Sequence, residues 1–151
     1  MTKYNISYYK WKTFAALVVS LVCVAATANA KAEVALIGNT SLSISALSPG
    51  DASDLFLDKS KTLSDGTAIT VVDLPKGNAT KNEFYEKVIR KHPNQIRAYW
   101  AKRIFTGKGS PPSTLMDDSA VMKWVAGGDG RIGYVDSKSV DDSVKVLLKI
   151  P

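Results

Sequence analysis

Short apolar runs alternate along the chain with polar, glycine- and proline-containing breaks, and four of these runs have the character of β-strands. Each is four to seven residues long and rich in aliphatic, mostly β-branched side chains, which is typical of buried strands. The four predicted strands are residues 34–37, 68–72, 132–135 and 144–150. The run at 68–72 is the clearest of them, and we expect it to be central in the sheet and buried.

Between the strands, apolar residues recur at the three- and four-residue spacing of an amphipathic helix. The predicted helices run from Pro49 to about 57, from Asn78 to about 89, from about Asn94 to 104, and from about Asp117 to 125. In the third helix we expect a core-facing set consisting of Ile96, Tyr99, Trp100 and Ile104. Strands interleaved with such helices predict an α/β domain, in which helices flank a mixed sheet of about four or five strands.

Residues 1–30 have the three-part pattern of a cleavable signal peptide. Three lysines precede an uncharged apolar run at 13–26, and the small residues Ala28-Asn29-Ala30 follow it. The run of about 14 residues is too short to cross a bilayer as a helix, so it predicts export rather than anchoring. Lipidation at Cys23, the only cysteine, is not expected after the bulky Val22. We therefore expect a periplasmic protein with no membrane span after cleavage, whose single domain comprises residues 31–151.

Composition restricts the chemistry of the mature domain. It has no cysteine, and therefore no disulfide, thiolate metal site or thiol nucleophile. Loss of three of the 20 Lys and Arg residues leaves an excess of three over the 14 Asp and Glu residues, which requires no nucleic-acid partner. The excess is uneven, because residues 81–108 contain eight basic and two acidic residues. Such a segment is either a solvated helix face or a surface that attracts anions or acidic partners.

The residue combinations that catalysis requires are missing from the pattern. His92 is the only histidine, and it lies between Lys91 and Pro93 without a neighbouring acid to orient it. No Gly-x-Ser-x-Gly motif for a nucleophilic serine occurs. The acidic pairs that begin at Asp117 and Asp141 lack the spacing of a calcium loop and fit a helix start and a turn. We therefore expect no enzyme activity, no metal site and no cofactor.

One loop has a physical basis for binding an anion. Its six residues are Lys76, Gly77, Asn78, Ala79, Thr80 and Lys81. The loop leaves a predicted strand and opens a predicted helix, so several backbone N–H groups are unpaired at the positive end of the helix dipole. Lys76 and Lys81 add positive charge on both sides. The alternative is that Asn78 and Thr80 only cap the helix.

Several motifs also occur in the order found in a known family. They are Leu55-Phe56-Leu57-Asp58-Lys59, Ile69-Thr70-Val71-Val72, Gly77-Asn78-Ala79-Thr80, Ile104-Phe105-Thr106-Gly107-Lys108-Gly109 and Arg131-Ile132-Gly133-Tyr134-Val135. This order resembles the phosphate-binding proteins of ABC transporters, in particular small members that correspond to little more than one lobe. The resemblance implies a periplasmic-binding-protein-like single lobe; two-lobed members enclose an oxyanion between their lobes.

The resemblance also identifies the Gly77 loop as the expected ligand site. In the family, an arginine followed by a Ser-Gly-Thr run contacts phosphate. In this chain Leu74 replaces that arginine, and Asn78 and Ala79 replace the serine and glycine. Gly77 and Thr80 are retained, so the resemblance implies backbone donors without the strongest charge-assisted contact.

Two functional hypotheses follow. The first is an exported module for phosphate or a related oxyanion, which binds weakly unless a partner or a second copy covers the half-site. Under this hypothesis an arginine at position 74 should strengthen binding, provided that its side chain faces the anion. The alternative is an envelope protein–protein interaction module that kept the fold and lost the ligand.

The signal-peptide pattern predicts a shortened protein. Mass spectrometry of the protein from a periplasmic fraction should show an N-terminus at Lys31, or within a few residues of it, because cleavage follows the small residues. An intact Met1 in that fraction would contradict the prediction.

Overall fold

The chain forms a mixed five-stranded sheet flanked by helices. A computed structural model describes residues 33–151, and the predicted signal peptide lies outside the described residues. The strands are β1 (Val34–Gly38), β2 (Thr70–Asp73), β3 (Ser113–Thr114), β4 (Arg131–Asp136) and β5 (Lys145–Ile150). Their order is β3-β2-β4-β1-β5, with β2 parallel to β3 and β4, and β1 antiparallel to β4 and β5. The predicted fold class is thus confirmed.

All four predicted helices are present, and side-chain caps mark where three of them begin. They are α1 (Pro49–Phe56), α2 (Ala79–Phe84), α3 (Pro93–Phe105) and α4 (Asp118–Ala126). The side chains of Ser48, Asn78 and Asp117 each accept a hydrogen bond from the backbone amide three residues further on. α2 continues directly into a π-helical segment, Tyr85–Ile89, which the sequence analysis did not anticipate. No helix within residues 33–151 is both long and apolar enough to span a bilayer.

The core lies along β1 and β4 and includes an aromatic cluster. All five residues of β1 are buried. Phe84 stacks on Tyr134 with ring centroids 4.1 Å apart, and Phe56 meets Phe84 edge-on at 4.7 Å. Aromatic pairs of this geometry stabilise the folded state by more than the burial of their apolar area alone. The cluster therefore holds α1 and α2 against the middle of the sheet.

The run at 68–72 is not central, which corrects the prediction. β4 occupies the middle of the sheet, and β2 lies one strand from the edge. Thr70 is exposed, and only the last two residues of β2 are buried. β3, which the sequence analysis missed, covers β2 over two residues only. Pro111 and Pro112 immediately precede β3, and proline lacks the N–H that would extend the pairing.

Ile104 is 58% exposed, so the prediction that it faces the core is wrong. The other predicted core residues of α3 are buried or partly buried. In the last turn, Arg103 takes the inward position, and its guanidinium Nη2 lies 3.0 Å from the carboxylate of Asp58. This ion pair leaves Ile104 on the surface.

The single core predicts one cooperative transition for residues 31–151. Trp100 lies on α3 and is buried, whereas Trp124 lies on α4, so tryptophan fluorescence reports on two parts of the structure. Urea unfolding followed by fluorescence and by circular dichroism should give the same midpoint. Two separated transitions would contradict a single domain.

Candidate functional site

Three parallel strands end at one edge of the sheet, and the segments that follow them form the candidate site. β2, β3 and β4 run in the same direction, so residues 74–78, 115–117 and 137–139 leave the same edge. The amide of Leu115 donates to the carbonyl of Asp73 at 2.9 Å, which joins two of these segments. Ligands of open α/β sheets bind at the carboxyl ends of strands. The predicted loop at 76–81 lies at this edge.

The loop turns at Gly77 and then starts α2. Gly77 has a φ of +87°, in the left-handed region that glycine adopts without strain, and the amide of Asn78 donates to the carbonyl of Pro75 at 3.2 Å. The side-chain oxygen of Asn78 accepts from the amide of Lys81 at 3.1 Å. Asn78 therefore caps the helix. Thr80 is only 6% exposed, so its side chain offers little surface to a ligand.

Two backbone amides and one cation remain available at the start of α2. The first amides of a helix have no acceptor within the helix. Asn78 and Lys81 find acceptors in Pro75 and in the cap, which leaves the amides of Ala79 and Thr80 at the positive end of the helix dipole. Lys76 is exposed, and none of the ion pairs in the described part of the chain involves it.

Lys81 differs from Lys76 because its charge is already paired. Its ammonium lies 2.8 Å from the carboxylate of Asp73 and donates to the carbonyl of Leu74 at 2.8 Å. It also lies 5.3 Å from the centroid of the Tyr85 ring. Of the two lysines in the predicted loop, only Lys76 adds an unpaired charge.

Leu74 is fully buried, so the condition under which an arginine at position 74 would strengthen binding is not met. Its amide donates to the carboxylate of Asp73 at 2.9 Å. An arginine at this position would have to place its guanidinium in the apolar core or displace the loop. In this chain, therefore, an arginine at position 74 would not restore the family contact.

Asp73 organises this edge of the sheet, and the sequence analysis missed it. The residue is 4% exposed, and each carboxylate oxygen accepts two hydrogen bonds. One oxygen bonds to the amide of Leu74 and the hydroxyl of Tyr134, and the other bonds to Lys81 and, at 2.8 Å, to the hydroxyl of Tyr85. Because the tyrosines lie 12 and 61 residues further along the chain, no local spacing predicts the cluster. The one available signal is an acid at the end of an apolar strand.

The environment of Asp73 keeps both tyrosines protonated. Burial raises the pKa of the Tyr85 hydroxyl and of the Tyr134 hydroxyl, and the nearby charge of Asp73 raises both further. Each hydroxyl can therefore act as a hydrogen-bond donor to the carboxylate across the neutral and mildly alkaline range.

The neighbouring segments bring carboxylates to the same edge. Asp117 accepts from the amide of Ala120 at 2.8 Å and caps α4. Asp118 accepts from the amide of Asp136 at 2.9 Å and from the hydroxyl of Ser139 at 3.1 Å. The N-terminus of α4 is thus occupied by the protein's own carboxylates, whereas a neutral amide side chain caps α2. Of these two helix starts, that of α2 is the one that can accept an external anion, and the nearby negative charges weaken its binding there.

The other residues considered for chemistry lie elsewhere. His92 is exposed at the start of α3, where its backbone amide donates to the side chain of Gln95 at 2.9 Å. Within residues 33–151, no group of three or more potential metal ligands is assembled. A cavity of about 420 Å³ lies beside α1, and its lining, which includes Asp51, Asp54 and Leu63, contains no residue of the loop at 76–81. Lys76, Gly77 and Ala79 are exposed, so the candidate anion site is open to solvent.

The fold matches solved structures of phosphate transport proteins. A phosphate ABC transporter substrate-binding protein from Clostridium perfringens, determined with bound phosphate, gives a TM-score of 0.62 at 19% identity. An ABC-type phosphate transport receptor from Vibrio cholerae gives 0.60 at 15%, and a protein from Planctomyces limnophilus described as phosphate-binding gives 0.55 at 14%. The matches cover 76% of this chain and 44%, 45% and 40% of those chains, respectively.

The comparisons confirm the resemblance at the level of the fold. The chain spans less than half the length of these proteins and corresponds to a single lobe. The matched proteins are described as substrate-binding and transport proteins rather than enzymes. No protein-family profile matches the sequence, and no curated protein is significantly similar to it.

The tyrosines around Asp73 predict a loss of stability at alkaline pH. Because their pKa values are raised in the folded state, their stabilising contribution is present below about pH 10, the ordinary tyrosine pKa, and is lost as the pH rises above it. Tyr85→Phe removes one of these two titrating groups. Above about pH 10, its unfolding free energy should therefore fall less steeply with pH than that of the wild type, by about 1.4 kcal/mol per pH unit. Urea unfolding between about pH 9 and pH 11 measures both slopes. Equal slopes would contradict the prediction.

Proposed function

We propose that this chain is an exported, non-catalytic periplasmic module that binds phosphate or a related oxyanion weakly at the start of α2. The observation that carries the proposal is the pair of amides of Ala79 and Thr80, which lie beside the unpaired Lys76 at the carboxyl edge of three parallel strands. Helix N-termini in this position hold phosphate and sulfate through backbone donors.

The matched structures support the choice of anion. One was determined with bound phosphate, and the others are described as a phosphate transport receptor and a phosphate-binding protein. Their sequence identity to this chain is 19% or less, so they support only the class of ligand. The choice of ligating residues rests on the geometry of this chain. The location outside the cytoplasm rests on the signal-peptide pattern of residues 1–30.

The geometry supports weak binding. Lys81 is paired with Asp73, and Leu74 supplies no cation. An exposed charge such as Lys76 contributes about 0.2–1 kcal/mol to an ion pair. Two amides and one screened cation therefore correspond to a dissociation constant on the order of 1 mM.

Titration with inorganic phosphate, followed by NMR, tests the proposal directly. The amide signals of Ala79 and Thr80 should shift in a saturable manner, because these two groups would donate to the anion. Sulfate should produce similar shifts, whereas sodium chloride at equal ionic strength should not. The absence of saturable shifts up to about 20 mM phosphate would contradict the proposal and favour the envelope interaction module.

Two substitutions distinguish an anion site from a simple helix start. Ala79→Glu places a carboxylate in the first turn of α2, where it interacts favourably with the helix dipole but repels an anion. Phosphate binding should be lost while the urea midpoint does not fall. Lys76→Ala should weaken binding about two- to fivefold. Lys149→Ala is the matched control, because it removes an exposed lysine on β5, and it should leave binding unchanged.

A further inference from the structure

The basic residues of the chain are concentrated in one continuous segment without any acid. Residues 87–116 contain seven Lys and Arg residues and no Asp or Glu, whereas the rest of the described chain contains nine basic and 14 acidic residues. α3 lies within this segment. The charge asymmetry between the two parts of the domain is therefore large for a protein of modest net charge.

Most of these cations are not used by the fold. Lys87 pairs with Glu83, and Arg103 pairs with Asp58. Within residues 33–151, no ion pair forms at the other five positions, which are Arg90, Lys91, Arg97, Lys102 and Lys108. Their charges are therefore available to something outside the domain.

An aromatic side chain points outward from the same helix. Phe105 is 92% exposed, more than any other large apolar residue of the described chain. It follows the inward-facing Ile96 by nine residues, or two and a half helical turns, and therefore lies on the opposite side of α3. Arg97 and Lys102 are exposed and flank Phe105 on this face, with Ala98 between them.

The protruding side chains of this surface favour a membrane over a folded protein. A protein interface of ordinary size covers about 800 Å² on each partner and packs against a continuous patch. The outward face of α3 instead has protruding apolar side chains, Phe105 and beside it Ile104, among cations. Such side chains enter the fluid interface of a bilayer, while the neighbouring Lys and Arg residues reach lipid phosphate groups.

We propose that the outward face of α3, comprising Arg97, Ala98, Ala101, Lys102 and Phe105, docks on the surface of an anionic lipid bilayer. Phe105 enters the headgroup region, and the unpaired cations contact anionic headgroups. Docking depends on an electrostatic and a hydrophobic contribution. The cations attract anionic lipids, and salt screens this attraction. The burial of Phe105 in the bilayer adds a hydrophobic contribution that salt does not screen. The surface is separate from the loop at 76–81, so docking does not require phosphate.

Vesicle flotation tests the proposal. The protein used is residues 31–151, which contain every strand, helix and core residue described, without the apolar run at 13–26. It should float with vesicles of equal parts phosphatidylglycerol and phosphatidylcholine at low salt, and far less with phosphatidylcholine alone. Raising sodium chloride to about 500 mM should release most of the bound protein.

Matched variants separate the two contributions. Phe105→Ser should lower the partition coefficient about tenfold, and Arg97→Gln combined with Lys102→Gln should lower it by about tenfold or more. Met116→Ser and Lys149→Gln are the controls, because they remove an exposed apolar side chain and an exposed basic side chain that do not belong to α3. Both controls should bind as the wild type does. Circular dichroism and urea midpoints verify that every variant is folded.

Three results would overturn the proposal. The first is failure of the wild type to float with phosphatidylglycerol vesicles at low salt; capture on immobilised polyglutamate in that case would indicate an acidic protein partner. The second is normal flotation of Phe105→Ser, which would show a purely electrostatic attraction. The third is equal loss in the Met116→Ser and Lys149→Gln controls, which would show that α3 has no special role.

Discussion

The buried carboxylate of Asp73 is the interaction on which this edge of the protein depends. A charge removed from water is tolerated only when donors surround it, and Asp73 has four. They come from the amide of Leu74, which directly follows β2, from β4 through Tyr134, and from the helical segment after the loop through Lys81 and Tyr85. One carboxylate thereby fixes the start of α2 against two adjacent strands.

This arrangement makes the candidate ligand site almost neutral. The ammonium of Lys81 neutralises the carboxylate of Asp73, and the carboxylate of Asp117 caps α4 at the same edge. Recognition at this edge would depend on the direction of backbone dipoles more than on net charge. Lys76 is the one unpaired cation of the loop at 76–81, whereas five others, including Arg97 and Lys102 on α3, lie within residues 87–116 and outside the candidate site. Under the two proposals, short-range recognition and long-range attraction therefore belong to different surfaces.

The features predicted from sequence are the ones set by local chemistry. Ser48, Asn78 and Asp117 mark helix starts because a cap bonds to an amide three residues away. The apolar runs of β1, β4 and β5 were also evident, whereas β3 has only two residues and no apolar signal. The lateral position of β2 and the exposure of Ile104 could not be predicted, because each depends on partners distant in sequence. The pairing of Lys81 with Asp73 spans only eight residues, but it depends on how the loop between them turns.

The π-helical segment after α2 has a consequence for how the chain tolerates changes of length. Its wider turn accommodates one residue more than an α-helix would over the same rise, and Val88 and Ile89 at its end are both buried. Deletion of a single residue between Tyr85 and Val88 would convert the wide turn into a regular α-helical turn and leave the residues on either side of it on nearly the same faces. Val88 and Ile89 would then still face the core, and the hydroxyl of Tyr85 would still reach Asp73. Homologous chains that are one residue shorter in this segment should therefore be able to retain the carboxylate cluster.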